Sequence, residues 1–163
     1  VTPSEPAIVT YTVSEDFADS QTLTVNAQGS GEYEYQLNNG EFQDSPIFYN
    51  VMSGFHTLTV RDKNGCGLTV SQIVVVNYPH FFTPNGDGAN ETWNIRDLRD
   101  QEVAYIYIYD RYGKVLTKIK PSGSGWDGTY NNALMPSDDY WFSITYQKDG
   151  QEKEFRAHFA LKR

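Results

Sequence analysis

The sequence predicts an all-β protein made of two consecutive β-sandwich domains. Apolar and polar residues alternate over many short segments, whereas no segment keeps the i, i+3, i+4, i+7 apolar spacing of an amphipathic helix. Turn residues separate these segments at intervals of roughly 8–12 residues, which is typical of sandwiches. Aromatic residues make up 15% of the 163 residues, with 12 Tyr and 9 Phe, and these residue types favour strands.

The first half of the chain carries five alternating segments, residues 7–13, 21–27, 32–37, 55–61 and 68–76. Asn38-Asn39-Gly40 follows the third segment and predicts a hairpin turn, because Asn and Gly tolerate positive φ. Asp62-Lys63-Asn64-Gly65 predicts a second turn before the last of these strands. The pattern of short strands and turns is typical of a sandwich.

A domain boundary is expected at Tyr78-Pro79, which divides the chain into residues 1–78 and 79–163. Proline restricts the residue before it and has no N–H group, so it suits a short linker. The charge also changes at this point. Residues 1–78 contain 2 basic and 9 acidic side chains, whereas residues 79–163 contain 11 basic and 12 acidic ones. Such a step favours two units with different surroundings.

The second half has longer alternating segments. Residues 103–110 place Ala and Ile on one face and three tyrosines on the other, Tyr105, Tyr107 and Tyr109. Residues 140–146 place aromatic and aliphatic side chains on one face, and the segment that ends at residue 161 alternates throughout. This last segment predicts a paired, half-buried strand, with Lys162 and Arg163 at its end.

Composition excludes several classes of function. The net charge of -8 and the pI of about 4.7 argue against a nucleic-acid surface, which needs clustered Lys and Arg. One cysteine, Cys66, allows no intrachain disulfide. No segment approaches the ~20 apolar residues of a membrane helix. The chain begins at Val1 and shows no signal peptide, so we expect it to be part of a longer protein with any N-terminal export signal upstream.

Catalysis is not expected. The three histidines, His56, His80 and His158, lie far apart in sequence and have no metal-binding spacing. The chain contains no nucleophile elbow, phosphate-binding loop or His-Glu metal motif. We therefore predict that the protein is not an enzyme.

A glycine-rich loop is the candidate metal site. Four side chains in the segment Asn85-Gly86-Asp87-Gly88-Ala89-Asn90-Glu91 offer oxygen atoms, namely Asn85, Asp87, Asn90 and Glu91. Calcium prefers such oxygens, and glycine lets the loop curl around an ion. The loop departs from an EF-hand, because its acidic series is shorter and no bidentate Glu follows at the required distance. The alternative is a tight turn in which Asn and Asp side chains bond nearby backbone N–H groups.

The second half resembles a known family. The matching segments follow one another in order up to the last residue: Phe81-Phe82-Thr83-Pro84-Asn85-Gly86-Asp87-Gly88, Asn90-Glu91-Thr92-Trp93, 106–114, 126–131, 134–142 and 158–163. Together they resemble the gliding-motility-associated C-terminal domain of Bacteroidetes, the type B sorting domain of the type IX secretion system. Glu91 stands where Asp is usual, and Asp138 stands where Gly is common.

The first half resembles, less specifically, the repeat modules of large gliding adhesins. Three segments carry this resemblance, residues 33–37, 54–62 and 64–67. It implies an immunoglobulin-like spacer domain. Combined with the strand pattern, the predicted fold class is all-β, with two consecutive immunoglobulin-like β-sandwich domains.

The resemblance of the second half implies a function. Members of this family are exported across the outer membrane by the type IX translocon, with the C-terminal domain as the folded signal. Type B domains are implied to depend on outer-membrane β-barrel partners of the PorP/SprF family. We therefore expect an extracellular, cell-surface protein that is associated with the outer membrane, whose partners are the type IX translocon and such a barrel, and which binds no nucleic acid.

The partner-binding residues are expected among aromatic side chains, which commonly anchor interfaces, and around the glycine-rich loop or the end of the last strand. The candidates are Phe81, Phe82, Pro84, Trp93, Tyr105, Tyr107, Tyr109, Trp141, Lys162 and Arg163. The alternative function is a carbohydrate-binding or adhesive β-sandwich module that uses the tyrosine stripe and the three tryptophans.

Overall fold

A computed structural model describes residues 6–65 and 67–163. The cysteine Cys66 lies outside the described residues. The chain divides into two compact units, one ending at Asn77 and the other comprising Tyr78–Arg163.

Within residues 6–65 and 67–77, the first unit contains six strands in two antiparallel three-stranded sheets. The strands are β1 (Ile8–Val13), β2 (Gln21–Gln28), β3 (Tyr33–Leu37), β4 (Ile47–Val51), β5 (Gly54–Asp62) and β6 (Leu68–Val75). One sheet has the order β1-β2-β4 and the other has the order β3-β5-β6. The inward residues of both sheets form one apolar core, in which Leu23, Leu58 and Val75 are fully buried.

Strand β4 has no counterpart among the alternating segments of the sequence. Its burial does not follow period two, because Ile47 and Phe48 are half-buried whereas Tyr49 and Asn50 are exposed. Asn50 has a φ of 54°, which departs from the extended conformation of a strand. The pairing register between β2 and β4 is also irregular. The strand is therefore defined by its pairing with β2 and not by its own pattern.

The second unit contains seven strands and one 3₁₀ turn (Arg96–Leu98). The strands are β7 (Phe81–Phe82), β8 (Tyr105–Tyr109), β9 (Val115–Ile119), β10 (Thr129–Tyr130), β11 (Ala133–Leu134), β12 (Asp138–Lys148) and β13 (Gln151–Leu161). Five of them form one sheet with the order β7-β13-β12-β8-β9. The short β7 runs parallel to the end of β13, and the other pairs in this sheet are antiparallel.

The inward face of this five-stranded sheet is apolar, as alternation predicts. Ile106 and Ile108 of β8 are fully buried, and so are Phe142 of β12 and Phe159 of β13. This face is covered by the segments around Trp93, whose ring contacts Phe142 and Phe159, and around Trp126, whose ring contacts Tyr140 and Phe159. A bridge between Trp93 and Trp126 ties the two covering segments together. The predicted all-β, immunoglobulin-like fold class is confirmed, although loops supply much of the second layer here.

Candidate partner-binding surface

The glycine-rich loop of the second unit is held by its own side chains. The Oδ1 atom of Asn85 accepts a hydrogen bond from the N–H of Asp87 (3.0 Å), and Asp87 Oδ1 accepts one from the N–H of Ala89 (2.8 Å). The hydrogen bond from the Ala89 N–H is the main reason why the pKa of the Asp87 carboxyl lies below its usual value, and the contact with the Asn85 side chain is the second reason. These successive side chain-to-backbone bonds are the turn chemistry that Asn and Asp provide.

Glu91 closes the same loop. Its two carboxylate oxygens accept hydrogen bonds from the N–H groups of Gly86 (3.0 Å) and Gly88 (3.1 Å). Both glycines have positive φ, at 82° and 84°, a backbone conformation that glycine adopts without steric cost. Among residues 6–65 and 67–163, no group of three or more His, Cys, Asp or Glu side chains is arranged to hold a metal ion. Calcium binding through Asn85, Asp87, Asn90 and Glu91 stays a prediction.

Arg163 contacts three backbone carbonyls with one guanidinium group. Its Nη1 donates to the carbonyl of Pro84 (2.8 Å), Nη2 to that of Gly128 (3.1 Å) and Nε to that of Met135 (3.2 Å). The planar fork of arginine allows several such bonds at once. The candidate Arg163 therefore joins the candidate Pro84 and fixes the loops at this end of the unit.

Gly128 lies close beneath this arginine. A Cβ atom at position 128 would be 2.9 Å from Leu161 Cδ1 and 3.0 Å from Arg163 Nη2, and the φ of Gly128 is 81°. A side chain here would meet both a crowded space and an unfavourable backbone conformation. Gly128 is thus required for the loop to reach the guanidinium.

Two candidate partner-binding residues lie in the core. Phe82 and Trp93 are 1% and 0% exposed. The Trp93 ring stacks on Phe159 with a centroid distance of 4.0 Å and an interplanar angle of 10°, and its indole N–H donates to the carbonyl of Pro79 (2.7 Å). Their side chains are inaccessible to a partner in this structure, because β7 turns Phe82 inward and the sheet buries Trp93. They stabilise the unit.

The remaining aromatic candidates share the opposite face of the five-stranded sheet, which we call the tyrosine face. The outward side chains of β8, β12 and β13 that it carries include Tyr105, Tyr107, Tyr109, Trp141, Arg156 and His158. Trp141 pairs with Tyr109 across one ladder and with His158 across the other. The three tyrosines are half-buried, whereas Trp141 is 47% exposed.

A lysine covers one end of the tyrosine face. Lys118 Nζ lies 4.4 Å from the centroid of the Tyr105 ring and 5.4 Å from that of Tyr107. These are cation–π contacts. The rings of Tyr105 and Tyr107 also pack edge to face, at 82°. The more open aromatic part of this face is therefore the end with Tyr109 and Trp141.

Phe81 and Lys162 form a separate pair at the end of β13. Phe81 is 48% exposed, and Lys162 Nζ lies 4.8 Å from its ring centroid. Phe81 and Phe82 are adjacent in sequence and therefore point to opposite sides of the sheet. The accessible candidates thus form three groups: the tyrosine face, the Phe81–Lys162 pair, and the Pro84–Arg163 contact.

Two arginines near Trp141 were missing from the sequence-based candidates. Arg111 and Arg156 line a pocket of about 390 Å³ together with Tyr109 and Trp141. Alternation in the last strand does place Arg156 on the outward face, and that periodicity was the available signal. Arg111 and Arg156 are 45 positions apart in sequence, and their proximity depends on the pairing of β12 with both β8 and β13, which no local pattern encodes.

Comparison with known proteins identifies the second unit. The CHU_C type IX secretion signal domain family matches residues 76–161. This match covers more than half of the chain, and the protein belongs to this family. It is thus a secreted, cell-surface-directed protein that carries a type IX secretion signal domain. This confirms the sorting-domain part of the resemblance and leaves the adhesin-repeat assignment of the first half as a prediction.

Comparison of the fold finds distant likenesses. The chain is similar to a solved structure described as "Biofilm associated protein - BSP domain", with 14% identity and a TM-score of 0.28, over 94% of this chain and 29% of that one. It is also similar to "Drosophila OTK, extracellular domains 3-5", with 14% identity and a TM-score of 0.29, over 96% of this chain and 62% of that one. Likenesses at this level carry no argument about function. No curated protein matches the chain.

Within the described ranges, no helix has the length and apolar character needed to cross a membrane.

Proposed function

We propose that the second unit is the secretion signal and cell-surface attachment module of a type IX-secreted protein of the gliding or adhesin type. The observation that carries the proposal is the family match over residues 76–161. The attachment step would use an outer-membrane β-barrel of the PorP/SprF family after passage through the type IX translocon. The first unit is proposed to be an immunoglobulin-like spacer domain, with its boundary to the second unit near residue 79.

Exposed aromatic side chains support the attachment step. Interface hot spots are enriched in Trp, Tyr and Arg, and the tyrosine face offers Trp141, Tyr109 and Arg156 on one side of a sheet. We propose that partner binding uses this face together with Phe81, Lys162 and the loop at Pro84. A secretion signal domain with an all-β fold is also consistent with the predicted absence of catalysis.

Fusion to a reporter tests the signal. A periplasmic reporter is fused to the whole chain, to residues 78–163 or to residues 1–77, and expressed in a bacterium with the type IX system. The first two fusions are expected at the cell surface, where external protease degrades the reporter, whereas the third stays protected. The control is the same set in a strain that lacks the translocon. Protection of the whole-chain fusion in the competent strain would contradict the proposed function.

The alternative is a carbohydrate-binding module, favoured by the exposure of Trp141 on a sheet face, where an aromatic ring is free to stack on a sugar. Lys118 already lies over the rings of Tyr105 and Tyr107, which leaves less ring surface for a sugar there. Glycan-array binding that is lost in Tyr105→Ala and Tyr107→Ala variants would favour this alternative. Binding to no glycan, with intact export, would favour the sorting function.

A further inference from the structure

A recess lies on the tyrosine face, and we call it the arginine pocket. Its volume is about 390 Å³, and its lining includes Tyr109, Asp110, Arg111, Trp141 and Arg156. It lies at the more open aromatic end of the face, away from the rings that Lys118 covers. A recess of this size accommodates one or two side chains of a partner.

The two guanidinium groups of the pocket have N–H donors that are not used in hydrogen bonds within the described part of the chain. Arg156 Nε donates to Glu154 Oε1 (2.6 Å), and Arg111 Nη1 contacts Asp138 Oδ2 at 3.5 Å, the outer limit for a hydrogen bond. An arginine carries five N–H donors, and the hydrogen bonds within the described part of the chain use one nitrogen of each group. Several N–H groups of both arginines are therefore available to an acceptor from outside.

The lining of the pocket contains more cationic than anionic side chains, in a protein with a net charge of -8. It holds two arginines and a single carboxylate, Asp110, while the carboxylates of Glu154 and Asp138, which each contact one of these arginines, lie outside the lining. The Oδ1 atom of Asp110 already accepts hydrogen bonds from the N–H groups of Tyr112 and Lys114, both at 2.9 Å. The pocket thus offers cationic donors beside an aromatic floor, and its complement is an anionic group with an apolar neighbour.

We propose that the arginine pocket binds a glutamate or aspartate side chain of an acidic peptide segment in the outer-membrane partner, an inference that rests on the proposed function. Guanidinium groups bind carboxylates through paired N–H···O bonds. Trp141 and Tyr109 contribute apolar contact beside the carboxylate, and Trp, Tyr and Arg together are the residues that dominate protein interfaces. The cover of Lys118 over two tyrosines favours a peptide over a sugar chain stacked along the face.

Tryptophan indole resonances provide a local readout. The indole N–H groups of Trp93 and Trp126 donate to backbone carbonyls at 2.7 and 2.8 Å, and both rings are buried. Trp141 alone among the three tryptophans is exposed. The ¹⁵N-labelled whole chain is titrated with an acetylated, amidated octapeptide of alternating Glu and Ser, and with its Gln counterpart. The Glu peptide is expected to move the Trp141 peak in a saturable manner, whereas the Gln peptide does not.

The variants separate specific binding from general attraction between charges. Arg111→Gln combined with Arg156→Gln is expected to weaken binding of the Glu peptide about tenfold, as expected when two exposed charge pairs are lost. Lys120→Gln combined with Lys153→Gln removes the same charge outside the pocket and is expected to leave binding unchanged. A Trp141 peak that stays in place, or equal weakening in both double variants, overturns the proposal.

Two further arms identify the ligand class and separate this inference from the function on which it rests. Movement of the Trp141 peak by oligogalacturonate, but not by the Glu peptide, overturns the peptide assignment in favour of an acidic glycan. Surface exposure of the wild-type reporter fusion is measured in parallel. A reporter that reaches the surface while the peptide fails to bind overturns this inference alone, whereas a reporter that stays inside overturns the proposed function and the inference together.

Discussion

The guanidinium of Arg163 donates a hydrogen bond of 2.8 Å to the backbone carbonyl of Pro84. This contact joins the residue after the last strand to the first motif of the second unit, 79 positions earlier in the chain. The same group bonds the carbonyls of Gly128 and Met135. One side chain thus connects the Pro84 loop with both ends of the β10-β11 hairpin, where the N–H of Met135 also donates to the carbonyl of Gly128 (2.9 Å).

Arg163→Ala is expected to lower the stability of the second unit by about 1–2 kcal/mol, because three hydrogen bonds, each worth roughly 0.5–1.5 kcal/mol and here weakened by exposure, are lost. The melting temperature should fall by about 5–10 °C for a unit of this size, as measured by circular dichroism. Arg163→Lys should not restore stability, because an ammonium group lacks the planar fork. Lys162→Ala is the matched control, and an equal loss in that variant would contradict the prediction.

Phe159→Ala is expected to destabilise the second unit by about 3–5 kcal/mol, the usual cost of removing a buried aromatic ring. Phe159 stacks on Trp93 and also contacts the rings of Phe82 and Phe142. This loss is a large share of the ~5–15 kcal/mol that stabilises a domain, so export of a reporter fusion should fail as well. Urea denaturation measures the change, with the outward neighbour variant His158→Ala as control. Similar denaturation midpoints for the two variants would argue against the core position of Phe159.

Asp87 should make the second unit sensitive to acid. Hydrogen bonds from the N–H of Ala89 and from Asn85 lower its pKa. A carboxyl whose pKa is lower in the folded state than in the unfolded state stabilises the fold at pH values above its ordinary pKa of about 3.9. This contribution is lost as the pH falls through the pKa of the folded state. Asp87→Asn should therefore flatten the fall of melting temperature below about pH 4. Asp149→Asn, in the turn between β12 and β13, is the control, and an unaltered profile in Asp87→Asn would count against the mechanism.

Calcium binding by the glycine-rich loop has a separate test. If Asn85, Asp87, Asn90 and Glu91 hold the ion, chelation with EGTA lowers the melting temperature of a calcium-loaded sample, since a ligand that binds the native state stabilises it. Asp87→Ala is expected to remove this response, whereas Asp149→Asn keeps it. If EGTA does not change the melting temperature of the wild-type protein, calcium binding is contradicted and the loop is a turn only.

Trp141→Ala is expected to separate partner binding from stability. The side chain is 47% exposed on the tyrosine face, so its loss should change the unfolding free energy by less than about 1 kcal/mol. Because the side chain is proposed to anchor the interface, its loss should weaken capture of the partner barrel by about 2 kcal/mol, roughly 30-fold. Whole-chain bait with detergent-solubilised outer membrane measures barrel recovery by mass spectrometry. Leu134→Ala, which truncates an exposed apolar residue away from the tyrosine face (71% exposed), is the control, and undiminished recovery with Trp141→Ala would remove Trp141 from the interface.

Much of the strand structure was predictable because alternation is a local property of the extended backbone. The segments 103–110 and 140–146 show it directly, and Ile106, Ile108 and Phe142 are buried as that pattern requires. Strand β4 was not predictable in this way, since its burial follows from pairing with β2. The family was predictable because the motifs of the second half follow one another in the order typical of that family. Such motifs identify a family even where the sequence does not show the structural role of each residue.

The sequence by itself determined the all-β class, the inward faces of the long strands and the secretion signal motifs. Tertiary structure alone decided which aromatic residues face solvent: Trp93 is buried and Trp141 is exposed, and Phe82 points inward while Phe81 points outward. It also brought Arg111 beside Arg156 and Arg163 beside Pro84. The physical reason is that periodicity acts over neighbouring residues, whereas the exposure of loops and two-residue strands depends on which distant segments pack against them.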